Sequence, residues 1–272
     1  MNDARRDELA TRLLAAFDAG SPLSPLTAED PAFDVSAAYD VLAEIDRRRR
    51  ARGWQPVGRK IGFTNRSLWP RYNVDRPMWA HVWRETMVDA GSGRAEFALE
   101  RTREPRVEPE IVLGIGGVVP GGGDARAILA AVAWIAAGFE VVQSPFPQWK
   151  FAPPDCTAAF GMHRALVVGP RLALDDALRD ALVTRLPACE LTLRRDDAVV
   201  ERGQGANVLD SPALALGHLV RLLATQPAMP PLAPGELVTT GTLTDAWFVS
   251  PGQTWSSDYG DLGVRGLHLR LT

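Results

Sequence analysis

Two glutamates interrupt one of the most apolar stretches of the chain, "RVEPEIVLGIG" at residues 106–116. This stretch predicts a β-strand, and side chains two positions apart on a strand point to the same face of the sheet. Glu108 and Glu110 should therefore project side by side. Like charges held together resist burial unless a cation lies between them. The strand thus predicts a fold that brings a cation to one face of a sheet.

The composition restricts the class of protein. The chain has 272 residues, of which 46% are hydrophobic and 23% charged, as in an ordinary globular protein. A net charge of −3 argues against a nucleic-acid partner, and Cys156 and Cys189 form neither a disulfide framework nor a zinc site. The sequence has no long uncharged apolar run and begins with a polar amphipathic segment, so we expect no membrane span and a cytoplasmic protein.

Hydrophobic periodicity and turn residues divide the chain into a helical beginning and a β-rich remainder. The predicted helices cover residues 3–18, 35–51, 124–138 and 211–226, with a shorter one in "LDDALRDALV". The predicted strands include "EIVLGIGGVV", "FEVVQS", "HRALVVG" and a hairpin in "CELTLRRDDAVVERG". We therefore predict an α+β fold with a mixed β-roll or barrel-like core at residues 55–272 and a smaller helical lobe at residues 1–54.

A third carboxylate extends the argument. Glu140 lies in the apolar run "FEVVQS", where a strand end can bring it beside Glu108 and Glu110. Three carboxylates without cysteine or clustered histidine favour a hard cation, Mg²⁺, Mn²⁺ or Ca²⁺, over Zn²⁺. Spacing alone leaves the alternative that Glu108 and Glu110 are exposed acids paired with the basic segment "RTREPR".

Several motifs, taken in order, resemble the fumarylacetoacetate hydrolase superfamily, and in particular its 2-keto-4-pentenoate hydratases and 4-oxalocrotonate decarboxylases. They are "GRKIGFT", "VEPEIVLGIG", "GFEVVQS", "DCTAAFGMHRALVVG", "PGELVTTGTLTDAW" and "VSPGQTWSSDYGDLGVRGLHL", and they run from about residue 55 to the C-terminus. The resemblance implies a β-roll core, homo-oligomers and Mg²⁺ or Mn²⁺ held by Glu108, Glu110 and Glu140. It also implies Lys60 and Asp155 at the site and Thr240, Thr242 and Thr244 as hydroxyl donors to a substrate carboxylate.

The implied activity is a hydratase reaction, in which water adds to a 2-hydroxy-2,4-dienoate or 2-oxo-3-enoate to give a 4-hydroxy-2-oxo acid. The metal would be the Lewis acid, and Lys60 would carry a proton if burial and the cation lowered its pKa. Three alternatives stay open: decarboxylation of a 2-oxo-enedioate, hydrolysis of an acylpyruvate, and a catalytically weak subunit that binds another enzyme of its pathway.

The segment "RPMWAHVWRETM" departs from the hydratase pattern, which has acids here that handle water. Met78 stands where Asp is usual and Arg84 where another acid is usual, whereas Glu85 is retained. We expect His81 and Glu85 as proton carriers, Trp79 as part of an apolar substrate pocket, and Arg84 as a partner for a second substrate carboxylate. A histidine or tryptophan in an aromatic segment can equally be a core residue.

Overall fold

A computed structural model describes residues 1–226 and 229–272. The helices are α1 (Asp3–Ala19), α2 (Leu26–Glu29), α3 (Val35–Ala51), α4 (Trp69–Tyr72), α5 (Ala125–Leu129), α6 (Pro153–Ala158), α7 (Asp176–Ala188) and α8 (Pro212–Ala224). The strands are β1 (Pro56–Gly62), β2 (Met78–Trp83), β3 (Met87–Asp89), β4 (Arg94–Phe97), β5 (Arg106–Ile115), β6 (Val132–Val142), β7 (His163–Val168), β8 (Leu172–Ala173), β9 (Glu190–Arg195), β10 (Ala198–Gln204), β11 (Leu237–Thr242), β12 (Trp247–Phe248), β13 (Thr254–Asp258) and β14 (His268–Leu271).

Two mixed sheets organise the chain. In the larger sheet the strand order is β2-β1-β11-β5-β6-β7-β3, with β12 paired to β5 and β8 paired to β6. The smaller sheet has the order β10-β9-β13-β14-β4. Both sheets combine parallel and antiparallel pairs, for example β1 with β11 and β1 with β2. The predicted α+β class with a mixed β core is therefore confirmed.

Local capping explains where the predicted helices begin. The side chain of Asp34 accepts a hydrogen bond from the amide of Ala37 at the start of α3. At the start of α8, Ser211 is the N-cap and Pro212 occupies the first turn, as the sequence predicts. The hairpin of β9 and β10 turns through Asp196 and Asp197, which both have positive φ, as this tight turn requires.

The predicted helix at residues 124–138 is wrong. Asp124 does cap a helix, but α5 ends at Leu129 and the chain continues as strand β6 from Val132. The reason is tertiary, because β6 pairs along its length with β5 on one side and with β7 on the other. Gly138 is not a helix end but lies opposite Glu110, where a Cβ atom would come within 2.7 Å of Val112.

The three N-terminal helices bury their apolar faces against the larger sheet and the loops around it. Leu13, Phe17 and Ile45 share one hydrophobic cluster with Phe146 and Phe160. α3 ends at Ala51, and β1, the first strand of the larger sheet, begins at Pro56. No helix within the described residues is long and apolar enough to cross a lipid bilayer.

Candidate active site

The pairing of β5 with β6 brings three glutamates together. Glu108 lies directly opposite Glu140, and Glu110 lies two positions further along the same face of β5. One carboxylate oxygen from each of the three lies within 4.8 Å of the others. Glu110 and Glu140 are buried, and Glu108 is partly exposed. Glu140 therefore joins the pair Glu108 and Glu110 in a largely buried triad of acids.

Lys60 is the cationic side chain that meets these acids. It lies on β1, is buried, and places its ammonium nitrogen 3.1 Å from Oε2 of Glu140. The same ammonium donates a hydrogen bond of 2.8 Å to the carbonyl oxygen of Gly161. One ammonium cannot balance three carboxylates, so the cluster retains an excess of acidic groups that favours a further cation.

A β-bulge in β11 holds the carboxylate of Glu110. In the pairing of β11 with β5, Thr239 lies opposite Val112 and Thr242 opposite Glu110, so β11 has one extra residue. The hydroxyl of Thr239 and the backbone amide of Gly241, at 2.7 Å, both donate to Oε2 of Glu110. The bulge thus orients this carboxylate with two donors.

His163 holds Glu140 from the opposite side. Its Nδ1 lies 2.8 Å from Oε1 of Glu140, and its Nε2 lies 2.8 Å from the hydroxyl of Thr86. Because a carboxylate only accepts, Nδ1 carries the proton, and burial lowers the pKa of the ring despite the hydrogen bond to Glu140. No sequence pattern marks His163 as part of the site, since its spacing from other residues matches no metal motif.

Burial and the neighbouring charges together shift the pKa values of the acids and of the lysine. Burial raises the pKa of Glu108 to about 7, and burial together with the carboxylate of Glu140 raises that of Glu110 well above its usual value. Burial also disfavours charge on Glu140, but Lys60 and His163 outweigh it and lower the pKa. For Lys60, burial lowers the pKa, and the three carboxylates outweigh burial and raise it.

The donor set fits a hard divalent cation. Oε2 of Glu140 is buried and, among the described residues, accepts no hydrogen bond of good geometry, although Lys60 is close. Lys60 supplies only one positive charge for three carboxylates, so this oxygen is open to a further cation. With Glu108 and Glu110 nearby, three carboxylates could ligate an ion that prefers oxygen. These observations support the predicted metal ligands Glu108, Glu110 and Glu140.

A cavity opens beside the acids, and we call it the site cavity. Its lining includes Lys60, Met78, Arg106, Glu108, Cys156 and Thr242. Of the three predicted hydroxyl donors, Thr242 lines it, Thr240 donates instead to the carbonyl of Ile111, and Thr244 donates to the carbonyl of Asp245. Of the three threonines of "TGTLT" predicted to contact a substrate carboxylate, Thr242 is therefore the one that remains a candidate.

His81 and Trp79 lie on a different face of the sheet from Lys60. In the pairing of β2 with β1, His81 is opposite Arg59 and Trp79 is opposite Ile61, so Ala80 is the residue that shares the face of Lys60. Nε2 of His81 is 3.1 Å from a carboxylate oxygen of Asp46 on α3. Neither side chain lines the site cavity, so the structure does not bring them to the acids.

Arg84 and Glu85 lie at the surface beyond the end of β2. Both side chains are exposed, and both bond to Gln55: Arg84 donates to its side-chain oxygen at 3.0 Å and Glu85 accepts from its backbone amide at 3.2 Å. The structure therefore does not place either residue at the acid cluster, in contrast to the roles expected from the sequence.

Asp155 is buried but fully engaged elsewhere. One carboxylate oxygen accepts from the amide of Thr27, and the other accepts from the hydroxyl of Thr27 at 2.7 Å and the amide of Ala152 at 2.8 Å. These bonds tie α2 to the start of α6. The geometry thus gives Asp155 a structural position next to the site cavity, which its neighbour Cys156 lines.

Replacing Asp155 by alanine is expected to lower the free energy of unfolding by about 2–4 kcal/mol, since three donors lose a buried charged acceptor. Turnover per folded molecule should change less than about tenfold. Chemical denaturation and steady-state kinetics measure the two quantities. Asp89→Ala, at an exposed carboxylate that accepts one bond, is the control and should stay near wild type. Lost turnover at unchanged stability would instead support the catalytic role predicted from sequence.

The likeness to known proteins agrees with this geometry. A family model described as "Fumarylacetoacetate (FAA) hydrolase C-terminal" matches residues 72–266. The chain belongs to the fumarylacetoacetate hydrolase family. Among its curated relatives, a 4-oxalocrotonate decarboxylase from Pseudomonas sp is 30% identical over 255 residues, with 94% of each chain covered. A 2-keto-4-pentenoate hydratase from Burkholderia vietnamiensis is 29% identical over 256 residues, again with 94% of each covered.

Solved structures of this family share the fold. A 4-oxalocrotonate decarboxylase from Pseudomonas putida G7, complexed with magnesium and adipate, has a TM-score of 0.90 and 25% identity and covers 100% of this chain and 99% of its own. A fumarylpyruvate hydrolase from Pseudomonas aeruginosa, in complex with Mn²⁺ and pyruvate, has a TM-score of 0.62 and 17% identity over 79% of this chain and 88% of its own. The predicted fumarylacetoacetate hydrolase fold is therefore confirmed.

Proposed function

We propose that this chain is a divalent-metal-dependent hydratase that adds water to a 2-hydroxy-2,4-dienoate or 2-oxo-3-enoate to give a 4-hydroxy-2-oxo acid. The convergence of Glu108, Glu110 and Glu140 beside Lys60 carries the proposal. The three glutamates would hold Mg²⁺, or alternatively Mn²⁺. When bound there, the cation would supply a Lewis acid for the keto oxygen of the substrate. Relatives named 2-keto-4-pentenoate hydratase over most of the chain support this choice of reaction.

Lys60 is the proton donor in this proposal. The three carboxylates outweigh burial and raise its pKa, so Lys60 is an ammonium, in contrast to the lowered pKa expected from the sequence. A cation bound at the carboxylates would oppose their effect on Lys60 and ease release of its proton. Its position on the wall of the site cavity lets it deliver that proton to a bound enol and stabilise negative charge there. Glu140 and the carbonyl of Gly161 fix the direction of the ammonium group.

Decarboxylation of a 2-oxo-enedioate is a second candidate, and one observation favours it. Met78, an apolar residue, is buried on the cavity wall. The resemblance implies an acid at this position in hydratases. The other acids predicted to handle water lie elsewhere, with Glu85 exposed and Asp155 bonded to Thr27. Loss of CO₂ needs no positioned water molecule, so this cavity suits it as well as hydration.

Calorimetric titration of metal-stripped protein with Mg²⁺ and Mn²⁺, with and without oxalate as a mimic of a 2-oxo acid, tests the proposal. We expect metal to bind and oxalate to bind only in its presence. Glu108→Ala should weaken metal binding by about 100-fold or more. Glu100→Ala, at a glutamate that is 80% exposed, should bind as wild type does.

Turnover then separates the reactions. Consumption of a 2-hydroxydienoate, followed by its ultraviolet absorbance, with formation of the hydroxylated acid supports hydration. Release of CO₂ from a 2-oxo-enedioate without hydroxylated product supports decarboxylation. Metal binding without either reaction would favour the catalytically weak partner subunit. Absence of metal binding in the wild type would remove the enzyme proposal altogether.

A further inference from the structure

A second and larger cavity lies beside the site cavity, and we call it the outer groove. Its volume is about 1040 Å³, whereas that of the site cavity is about 80 Å³. The site cavity is smaller than most small-molecule pockets, which measure about 300–1,000 Å³. Its walls therefore decide which ligands fit. The lining of the outer groove is largely apolar and includes Phe33, Tyr39, Val74, Pro77, Pro153 and Leu222.

The two cavities share a wall. Within the described residues, Phe63 and Met78 are the two that line both cavities. Met78 is the first residue of β2, is 5% exposed, and lies opposite Gly62 of β1. Because Gly62 is two positions from Lys60 on β1, the side chains of Met78 and Lys60 point to the same face of the sheet. The shared wall therefore lies at the Lys60 side of the site cavity.

The end of the Met78 side chain packs close to Lys60. A Cβ atom added to Gly161 would lie 2.9 Å from both Sδ and Cε of Met78 and 3.1 Å from Cδ of Lys60. A Cβ atom added to Gly62 would lie 3.0 Å from Sδ of Met78 and 3.6 Å from the ammonium nitrogen of Lys60. The thioether and the lysine thus share a narrow space that two glycines leave open. A ligand that extends past the ammonium group meets Met78 next.

Aromatic packing supports Phe63, the other residue of the shared wall. Its ring centre lies 5.6 Å from that of Tyr72, which in turn stacks on Phe151 at 5.3 Å. The carbonyl oxygen of Phe63 also accepts a hydrogen bond of 2.8 Å from the indole of Trp69. Met78 is therefore the part of the wall that a single substitution can open with the least disturbance.

We propose that Met78 is a specificity-determining residue whose thioether ends the site cavity and so limits the length of the substrate tail. This inference rests on the proposed function, in which the 2-oxo acid end of the substrate lies at the three glutamates. A smaller side chain at this position should join the site cavity to the outer groove, which would then accept a longer tail.

The charges around the outer groove indicate which tails it would accept. Its lining contains three exposed carboxylates, Asp34, Asp40 and Asp75, and one exposed arginine, Arg76, which is already paired with Asp75. An anionic end group would be repelled by this excess of acids. The longer tail should therefore be an uncharged hydrocarbon chain, which buries against the apolar part of the lining.

Binding of two simple 2-oxo acids in the presence of Mg²⁺ tests the inference. 2-Oxobutanoate and 2-oxooctanoate share the chelating end and differ by four methylene groups. Without a wall, each buried methylene should tighten binding about fourfold, so the longer acid would bind better. With the wall, calorimetry should show wild-type protein binding 2-oxobutanoate at least about tenfold more tightly. Equal or tighter binding of 2-oxooctanoate overturns the inference but leaves the proposed function intact. If neither acid nor oxalate binds with Mg²⁺, the proposed function fails as well.

Variants of Met78 test whether this residue sets the limit. In Met78→Ala the preference for 2-oxobutanoate should fall by at least about tenfold, because the tail gains a path into the outer groove. Met78→Leu, which conserves volume, should keep the wild-type preference. Each variant is scored by the ratio of its two dissociation constants, so a general loss of binding does not imitate the expected result. An unchanged ratio in Met78→Ala overturns the assignment.

Met162→Ala is the matched control. Met162 is also a buried methionine of the site cavity, but it is not among the described residues that line the outer groove. Its truncation removes the same atoms from a different wall, so the ratio should stay within about threefold of wild type. A change in Met162→Ala as large as that in Met78→Ala would mean that cavity volume alone sets the limit, and it would overturn the role of Met78.

Discussion

Replacing Lys60 by methionine is expected to lower turnover by about 10²- to 10⁴-fold, the range for loss of a positioned proton donor. Affinity for Mg²⁺ should stay the same or increase. The reason is that the Lys60 ammonium lies 3.1 Å from Oε2 of Glu140, where its charge opposes a second cation at the same carboxylate. Methionine is unbranched like lysine and only one atom shorter, so the main change is the loss of the charge and of the hydrogen-bond donors.

Kinetics and calorimetry on the same preparation measure this split. The chain has only two lysines, and Lys150 is exposed, so Lys150→Met is the matched control and should equal wild type. A loss of turnover below about tenfold would mean that another group or a water molecule carries the proton. A parallel loss of metal affinity would mean instead that Lys60 mainly orients Glu140.

The cluster of three glutamates could be predicted because it depends on two simple features. These are the alternation of side chains along β5 and the pairing of β5 with β6. Period-two alternation places Glu108 and Glu110 on one face wherever that strand lies. Glu140 joins them because its strand pairs with β5 in the register that sets it opposite Glu108. The resemblance implied the three glutamates as one metal-binding set, whereas spacing alone left exposed acids as an alternative.

The residues around the cluster were less predictable because strand parity decides which side chains face it. His81 is one position from Ala80, the partner of Lys60, and this single step places it on the other face. His163 and Thr239 contact the carboxylates, yet neither has a metal-ligand spacing in sequence. Gly241 in "TTGT" was the available signal for a bulge. Its φ is positive, and glycine adopts such a conformation more easily than other residues do.

The helix predicted at residues 124–138 failed for a related reason. Alanine-rich sequence after Asp124 has high helix propensity, and the capping residue is correct. Propensity is a weak local preference, however, and residues 132–142 gain backbone partners from strands on both sides. Residues far away in sequence therefore set the end of α5.

Replacing Gly241 by alanine is expected to lower the free energy of unfolding by roughly 4 kcal/mol and metal affinity by at least tenfold. Gly241 has φ +102°, and an added Cβ atom would lie 1.7 Å from the hydroxyl oxygen of Thr64. Relief of this overlap must move the backbone amide that donates to Glu110 at 2.7 Å, and with it the carboxylate.

Gly252→Ala separates backbone strain from this overlap. Gly252 has a similar φ of +89°, but an added Cβ atom there would meet nothing within 4 Å. It should therefore show only the cost of the unfavourable φ, about 1–2 kcal/mol, and normal metal binding. Denaturant unfolding and calorimetry of both variants decide the matter. If Gly241→Ala is no less stable than Gly252→Ala and binds Mg²⁺ as wild type does, the bulge is not what holds Glu110 in place, and the strands β5 and β6 position the carboxylates alone.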